Sequence, residues 1–154
     1  MTEPIKFYSV NDEYGEFSNF AAYPIKIGKK MWPTSEHFFQ AMKFKNESRQ
    51  NKIRKTKTPM LAAQMGRDRK FKLRRDWESA KCNVMFEALM AKFTQYDELK
   101  KLLLDTDEAK IIEHTENDSY WGDGGDGSGK NMLGRILMKV RTQIRESENP
   151  SNCE

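Results

Sequence analysis

Apolar residues recur along the chain with two periods, and the helical one dominates. Trp77, Val84, Met85, Ala88, Leu89 and Phe93 form a stripe at helical spacing, and Asp76 stands before it as a cap. A second stripe, Leu133, Ile136, Leu137, Val140 and Ile144, follows Asn131, also a capping residue. Leu99, Leu102, Leu103 and Leu104 predict a short helix opened by Asp97. Thr58-Pro59 opens another, with Pro59 at the first helical position and Gly66 as its stop. Pro33-Thr34-Ser35 opens a helix over 34–45, with Thr34 or Ser35 as cap and Phe38, Phe39 and Met42 on its buried side. The strand period appears near the start. Ile5, Phe7 and Tyr8 make a short apolar run, and Tyr23, Ile25 and Ile27 alternate up to a Gly28-Lys29-Lys30 turn. Ile111-Ile112 reads as a short strand or as the end of the helical region before it. The expected fold is mainly α (α+β): a single compact helical domain, 1–145, with a small N-terminal β element. Residues 146–154 read as a disordered tail. No period of 20–50 residues repeats, which excludes solenoids and propellers.

A chain of 154 residues is one ordinary domain. At this size folding buries about 70% of the unfolded surface, so a core forms without disulfides or a structural metal. Two cysteines, Cys82 and Cys153, make no disulfide framework. No run of 18 apolar residues is present, and the first residues lack an apolar signal core. The expectation is a cytoplasmic protein without membrane contact.

The net charge of +4 conceals two opposed segments. Residues 41–75 hold 13 Lys and Arg against 2 acids, and residues 105–126 hold 8 acids against one Lys. Solvated faces are one reading. The other is an anion-binding surface and an acidic catalytic loop forming two walls of one cleft.

Three clusters carry candidate chemistry. Glu36, Gln40 and Lys43, spaced i, i+4, i+7, share one face of an aromatic helix, and that face meets either water or a pocket. The segment 113–131 holds five of the nine glycines and ends at a helix N-terminus, a natural anion site. Within it Trp121 reads as a solvent-facing stacking platform flanked by Asp118 and Asp123 as acid/base groups. Gly124 to Lys130 nearly matches a P-loop, but Asn131 stands where Ser or Thr would hold magnesium. A calcium loop lacks its distal Glu, and His37 and His114 have no ligand spacing, so no metal or cofactor is expected. Third, Arg67 directly follows Gly66, placed either to pair with a phosphate or to sit in a solvated basic loop. Trp77, at a helix start, reads first as a core anchor.

The chain resembles the YbiA-like, or NADAR, family, and it is especially similar to the compact bacterial single-domain members. The matching segments are Tyr14-Gly15-Glu16-Phe17-Ser18-Asn19-Phe20; Trp32 to Ala41 with Lys43-Phe44; Met65-Gly66-Arg67; Asp76-Trp77; Ala91-Lys92-Phe93; Glu113 to Asp118; and Trp121 to Gly125 through Asn131, Leu133 and Gly134. They span residues 5–145, in order, without a departure at a motif position.

The resemblance implies an N-glycosidase. It would cut the C–N bond between ribose 5-phosphate and an aminopyrimidine in the first two intermediates of riboflavin biosynthesis after GTP. Glu36 is then the carboxylate that stabilises positive charge at the ribose and holds the attacking water. Lys43 would be the nucleophile if the imine route ascribed to ADP-ribose-acting relatives applies, with Asp118 as the assisting acid. Trp121 and Trp77 would stack the base. Arg67, the 122–131 glycine loop and nearby lysines would hold the phosphate, and Gly122, Asp123 and Asn131 would belong to the substrate-binding set. Ser18, Asn19 and Gln40 would supply directional hydrogen bonds. Two rivals remain: removal of ADP-ribose from guanine in nucleic acid, and a non-enzymatic nucleic-acid-binding module built on 41–75. Few aromatics interleave the lysines there, and no zinc-finger or RRM signature is present.

Overall fold

The computed structural model describes residues 3–149. These divide into two compact units. One comprises Asn19–Lys92; the other joins the residues up to Ser18 to those from Phe93 onward. None of the described helices is long and apolar enough to cross a membrane.

The Asn19–Lys92 unit begins with a hairpin whose first strand alternates apolar and polar residues. Labelling from the N-terminus, β1 is Ile5–Phe7 in the other unit, and the hairpin strands are β2 (Ile25–Ile27) and β3 (Lys30–Trp32). They pair antiparallel, Ile25 opposite Trp32. Gly28 and Lys29 both take positive φ, 62° and 69°, as a two-residue turn matched to strand twist requires. The alternation before the turn announces β2, but β3 is too short and mixed to announce itself.

Helix α1, Ser35–Ala41, is buried at every one of its seven residues. Thr34 caps it, its hydroxyl accepting from the His37 N–H at 3.1 Å. The helix ends at Ala41 rather than 45, because Lys43 and Phe44 turn tightly, donating to the carbonyls of Gln40 and Ala41. Helix α2, Glu47–Arg54, was not expected from the pattern: only Arg49 and Ile53 are buried. Its announcing residue is Asn46, whose side chain accepts from the Arg49 N–H. Helix α3, Pro59–Gly66, follows its Thr58 cap and Pro59 start as expected. Ala62, Ala63 and Gly66 are its buried residues, and their small side chains let α3 lie close against α1.

Helix α4, Trp77–Gln95, buries the whole expected stripe. Asp76 stands before it, but its carboxylate does not cap the helix. It takes two hydrogen bonds from the Arg74 guanidinium, at 2.6 and 2.9 Å.

In the other unit, β1 pairs in parallel with β4, Ile111–Glu113, so the strand reading of Ile111-Ile112 holds. The β structure is therefore not confined to the N-terminus. Phe17 is fully buried between Phe7 and Phe93, with ring centroids 5.8 and 5.7 Å away. Helix α5, Asp97–Leu104, is preceded by Tyr96 in the cap position, and Asp97 is its first residue. Helix α6, Met132–Glu148, packs on β4. At Gly134 a Cβ would lie 2.0 Å from the Ile111 carbonyl oxygen, so only glycine permits this approach. The helix runs three residues into the segment expected as tail, and residues 150–154 lie outside the described residues.

His37 shows how α1 accommodates polar groups in the interior. Its ring is fully buried. Nε2 faces the Thr56 carbonyl oxygen at 3.1 Å, and Nδ1 faces the Thr34 hydroxyl at 2.8 Å. A carbonyl only accepts, so Nε2 carries the proton and Nδ1 accepts from Thr34. Burial lowers its pKa below the ordinary 6.5, outweighing the carbonyl contact that raises it. The unfolded chain thus binds a proton that the native state refuses. Stability from this residue is complete above pH 6.5 and declines as pH falls through 6.5 toward the lowered native value. In urea titrations, His37→Gln should flatten that slope and lose about 1–3 kcal/mol at pH 7.5 from broken buried hydrogen bonds.

Candidate active site

The polar face of α1 carries the cluster. Glu36 is only 9% exposed. A carboxylate there needs partners, and Gln40 one turn later supplies one: its Nε2 donates to Glu36 Oε2 at 2.7 Å. The Glu36 N–H is tied to the Asn19 carbonyl at 3.2 Å. Asn19 is itself held, its Oδ1 accepting from the Ser35 hydroxyl at 2.7 Å and its Nδ2 facing Met85 Sδ at 3.4 Å. The loop before the hairpin and the start of α1 are thereby locked together. Gln40 Oε1 is buried without a hydrogen-bond partner. It lies against Gly66, where a Cβ would sit 1.8 Å away. A buried acceptor left open beside a carboxylate is a place for a ligand hydroxyl or amine.

Lys43, in the turn after α1, is half-buried. Its ammonium lies 5.8 Å from the centroid of the Phe39 ring. Burial lowers its pKa below 10.5; Glu36 pulls it back up, while Arg67 and Lys81 push it down further. Glu36, Lys43, Arg67 and Lys81 therefore share one electrostatic neighbourhood: a carboxylate, an amine whose ammonium form burial disfavours, and two further cations. Arg67, exposed at the end of α3, is the cation best able to meet a phosphate. Trp77 is buried and packs edge-on against Phe39 at 5.1 Å, as the core anchor its position suggested. Lys81 escaped the sequence reading. It lies four residues after Trp77 on the same face of α4, but a lysine three residues after a glutamate reads from sequence as surface; in the fold its side chain is 16% exposed and pairs with Glu78 at 2.7 Å.

The remaining candidates belong to the other unit. Ser18, at its edge along the chain, is buried, and its N–H donates to the Gly15 carbonyl. The glycine-rich loop is organised by its own acids. Asp118 Oδ1 accepts from the N–H groups of Tyr120 and Trp121 at 2.9 and 2.8 Å, and these turn bonds leave Oδ2 outside them. Asp123 is buried. Its Oδ2 pairs with His114 Nδ1 at 2.7 Å, and its Oδ1 accepts from Thr115 and Gly125 N–H groups. Burial alone would raise its pKa, but the bonds from His114, Gly125 and Thr115 hold it below 3.8. Asp123 is thus an ionised brace, not a proton donor at neutral pH. Asn131, in left-handed backbone at φ 53°, occupies the cap position of α6 but turns its side chain to β4. Its Oδ1 accepts from Glu113 N–H and its Nδ2 donates to the Ile111 carbonyl. Gly122 is buried where a Cβ would meet Thr115 and the Asp118 carbonyl within 3 Å. Trp121 is partly exposed rather than fully solvent-facing, edge-on to Tyr120 at 4.9 Å.

Comparison with known proteins gives one consistent result. A model of the NADAR domain matches residues 6–145. Escherichia coli N-glycosidase YbiA is 60% identical over 140 residues, covering 91% of this chain and 88% of that protein. N-glycosidase Npun_R5314 of Nostoc punctiforme is 40% identical over 144 residues, covering 92% of each. Riboflavin biosynthesis protein VVA0006 of Vibrio vulnificus is 38% identical over 146 residues, 95% of this chain and 40% of that one. The NMR structure of E. coli YbiA superposes with a TM-score of 0.89 at 57% identity, covering 96% of this chain and 89% of that one.

Two outcomes follow from the geometry. Glu36→Gln removes the charge that favours the Lys43 ammonium, so the Lys43 pKa should fall further. Reductive ¹³C-methylation of Lys43 followed by an NMR pH titration measures it, and an unmoved titration would separate the two groups. Gly66→Ala should push Gln40 off Glu36 while keeping the fold, since alanine favours α3 by about 1 kcal/mol. Catalytic turnover should drop about tenfold, equivalent to about 1.4 kcal/mol of barrier.

Proposed function

The chain belongs to the NADAR-domain family and is a hydrolase of N-glycosyl bonds, and we propose that it cleaves ribosylamino-pyrimidine 5-phosphates of the riboflavin pathway. Ribose 5-phosphate and the free aminopyrimidine are the products. The substrate class draws support from relatives named for riboflavin biosynthesis, such as the Vibrio protein at 38% identity. The observation that carries the chemistry is the buried Glu36 carboxylate, oriented by Gln40 and accompanied by Lys43.

Breaking the bond between ribose C1 and the exocyclic nitrogen builds positive charge on C1 and the ring oxygen. A pre-oriented carboxylate stabilises that charge more than it stabilises the neutral ground state. Glu36 also accepts a proton from the attacking water as its oxygen bonds to C1, and the departing pyrimidine nitrogen takes up a proton in turn. The open Gln40 Oε1 accepts from a ribose hydroxyl. Arg67 and Lys81 meet the 5-phosphate. In the other unit, Asp118 keeps Oδ2 outside its turn bonds, an acceptor for a ligand there, and Trp121 keeps a partly exposed ring.

The lowered Lys43 pKa favours a second route to the same products. Its neutral amine attacks C1 of the opened sugar, displaces the aminopyrimidine as an imine forms, and water then releases the sugar.

The test is incubation with the ribosylaminouracil phosphate and detection of released ribose 5-phosphate. Glu36→Gln should lower kcat by about 10²–10⁴-fold with an unchanged melting temperature, the scale of a lost acid/base group. Retained turnover would reduce Glu36 to a helix-end residue. Borohydride should trap a sugar adduct on Lys43 if the imine forms; turnover without an adduct assigns direct hydrolysis.

A further inference from the structure

A second feature of the Asn19–Lys92 unit lies outside the proposed catalytic cluster. Three hollows run in sequence along α2, sharing walls. The largest, about 720 Å³, is bordered by Lys45, Arg49, Lys52, Lys70, Lys72 and Arg75. It shares Ser48 and Lys52 with a second of about 500 Å³. That one shares Lys55 with a third of about 510 Å³, which adds Lys57. Ser48, Lys52 and Lys55, at i, i+4 and i+7, lie along one side of the helix and link the three. Glu36, Gln40, Lys43 and Arg67 border none of them.

The acids along this track are largely engaged. Glu47 pairs with Lys30 at 3.3 Å, and Asp76 with Arg74. Asp68, in the third hollow, accepts from the Lys70 N–H. Among the described residues, Lys45, Lys52, Lys55, Lys70, Lys72 and Arg75 have no ion-pair partner.

The floor of the large hollow is not a plain solvated face. Arg49 is 8% exposed, and its guanidinium stacks 3.6 Å from the centroid of the Phe71 ring. Its Nη2 donates to the Met65 carbonyl, while its Nε is buried without a partner. Phe71 and Leu73 stay 43% and 42% exposed beside it. Two apolar side chains thus stand half in water among the cations of this hollow.

We propose that this track binds a single-stranded nucleic acid, its phosphates on the lysines and a base against Phe71 and Leu73. Three hollows in a row suit a strand with repeating charge rather than one compact anion. Apolar groups in the largest suit a ligand that alternates phosphate with planar rings. The contacts are to the backbone, so binding should be indifferent to sequence.

The experiment is fluorescence anisotropy with labelled fifteen-nucleotide oligo-dT and oligo-U, titrated at several salt concentrations. Saturable binding is expected, with log affinity falling against log salt at a slope of about −3, as for roughly four neutralised phosphates. The charge reversal Lys52→Glu/Lys55→Glu/Lys72→Glu should weaken binding at least tenfold while N-glycosyl hydrolysis and the melting temperature stay unchanged. Phe71→Ser should weaken the oligonucleotides and leave inorganic polyphosphate unaffected. Absence of binding at 50 mM salt, equal affinity in the charge-reversed protein, or polyphosphate binding as tightly as an oligonucleotide of equal charge would each overturn the proposal. None of these outcomes depends on the reaction proposed for Glu36.

Discussion

Everything at the candidate site depends on one constraint: α1 is buried along all seven residues and yet carries Ser35, Glu36, His37 and Gln40. An interior helix of this kind survives only if each polar side chain finds a partner. Ser35 binds Asn19, His37 bridges Thr34 and the Thr56 carbonyl, and Gln40 binds Glu36. Those pairings position the hairpin approach and the segment between α2 and α3 around the helix. Beside the Glu36 carboxylate they leave one open amide oxygen, Gln40 Oε1. The residue that makes this packing possible is Gly66, whose missing side chain is the space Gln40 occupies.

Lys43 is the electrostatic counterpart of that arrangement. It follows the helix in a tight turn, half-buried, with its amine in the field of Glu36. Partial burial and two neighbouring cations disfavour its ammonium form, and Glu36 moderates the effect. The site thus balances a carboxylate that needs a cation against an amine that gains reactivity by losing its proton.

The glycine-rich loop solves a different problem. Its acids look catalytic in the sequence because they cluster around Trp121. In the fold, Asp123 spends both oxygens inside the loop and Asn131 ties α6 to β4, so these two act as braces. Short loops dense in N–H groups need internal acceptors, and Asp and Asn are the residues that supply them. Asp118 and Asp126 each serve a turn through Oδ1 and leave Oδ2 outside those bonds.

Much was legible before folding. The α4 and α6 stripes, the Thr58-Pro59 start, the turn at Gly28 and Lys29 (with Lys30 already in β3) and the shared face of Glu36 and Gln40 (with Lys43 past the helix end) all follow from local periodicity and backbone preference. Those are properties of neighbouring residues, and the sequence by itself determined them. Helix α2 and strand β3 were hidden because they bury too few apolar residues to set a period. The lowered pKa of Lys43 and the addition of Lys81 were decided only by tertiary structure, since they need α3 and α4 to bring charges 24 and 38 positions away in sequence to one place. Which carboxylates brace and which stay open was decided there too. A carboxylate's role is set by the hydrogen-bond donors around it, and sequence spacing does not report where those donors end up.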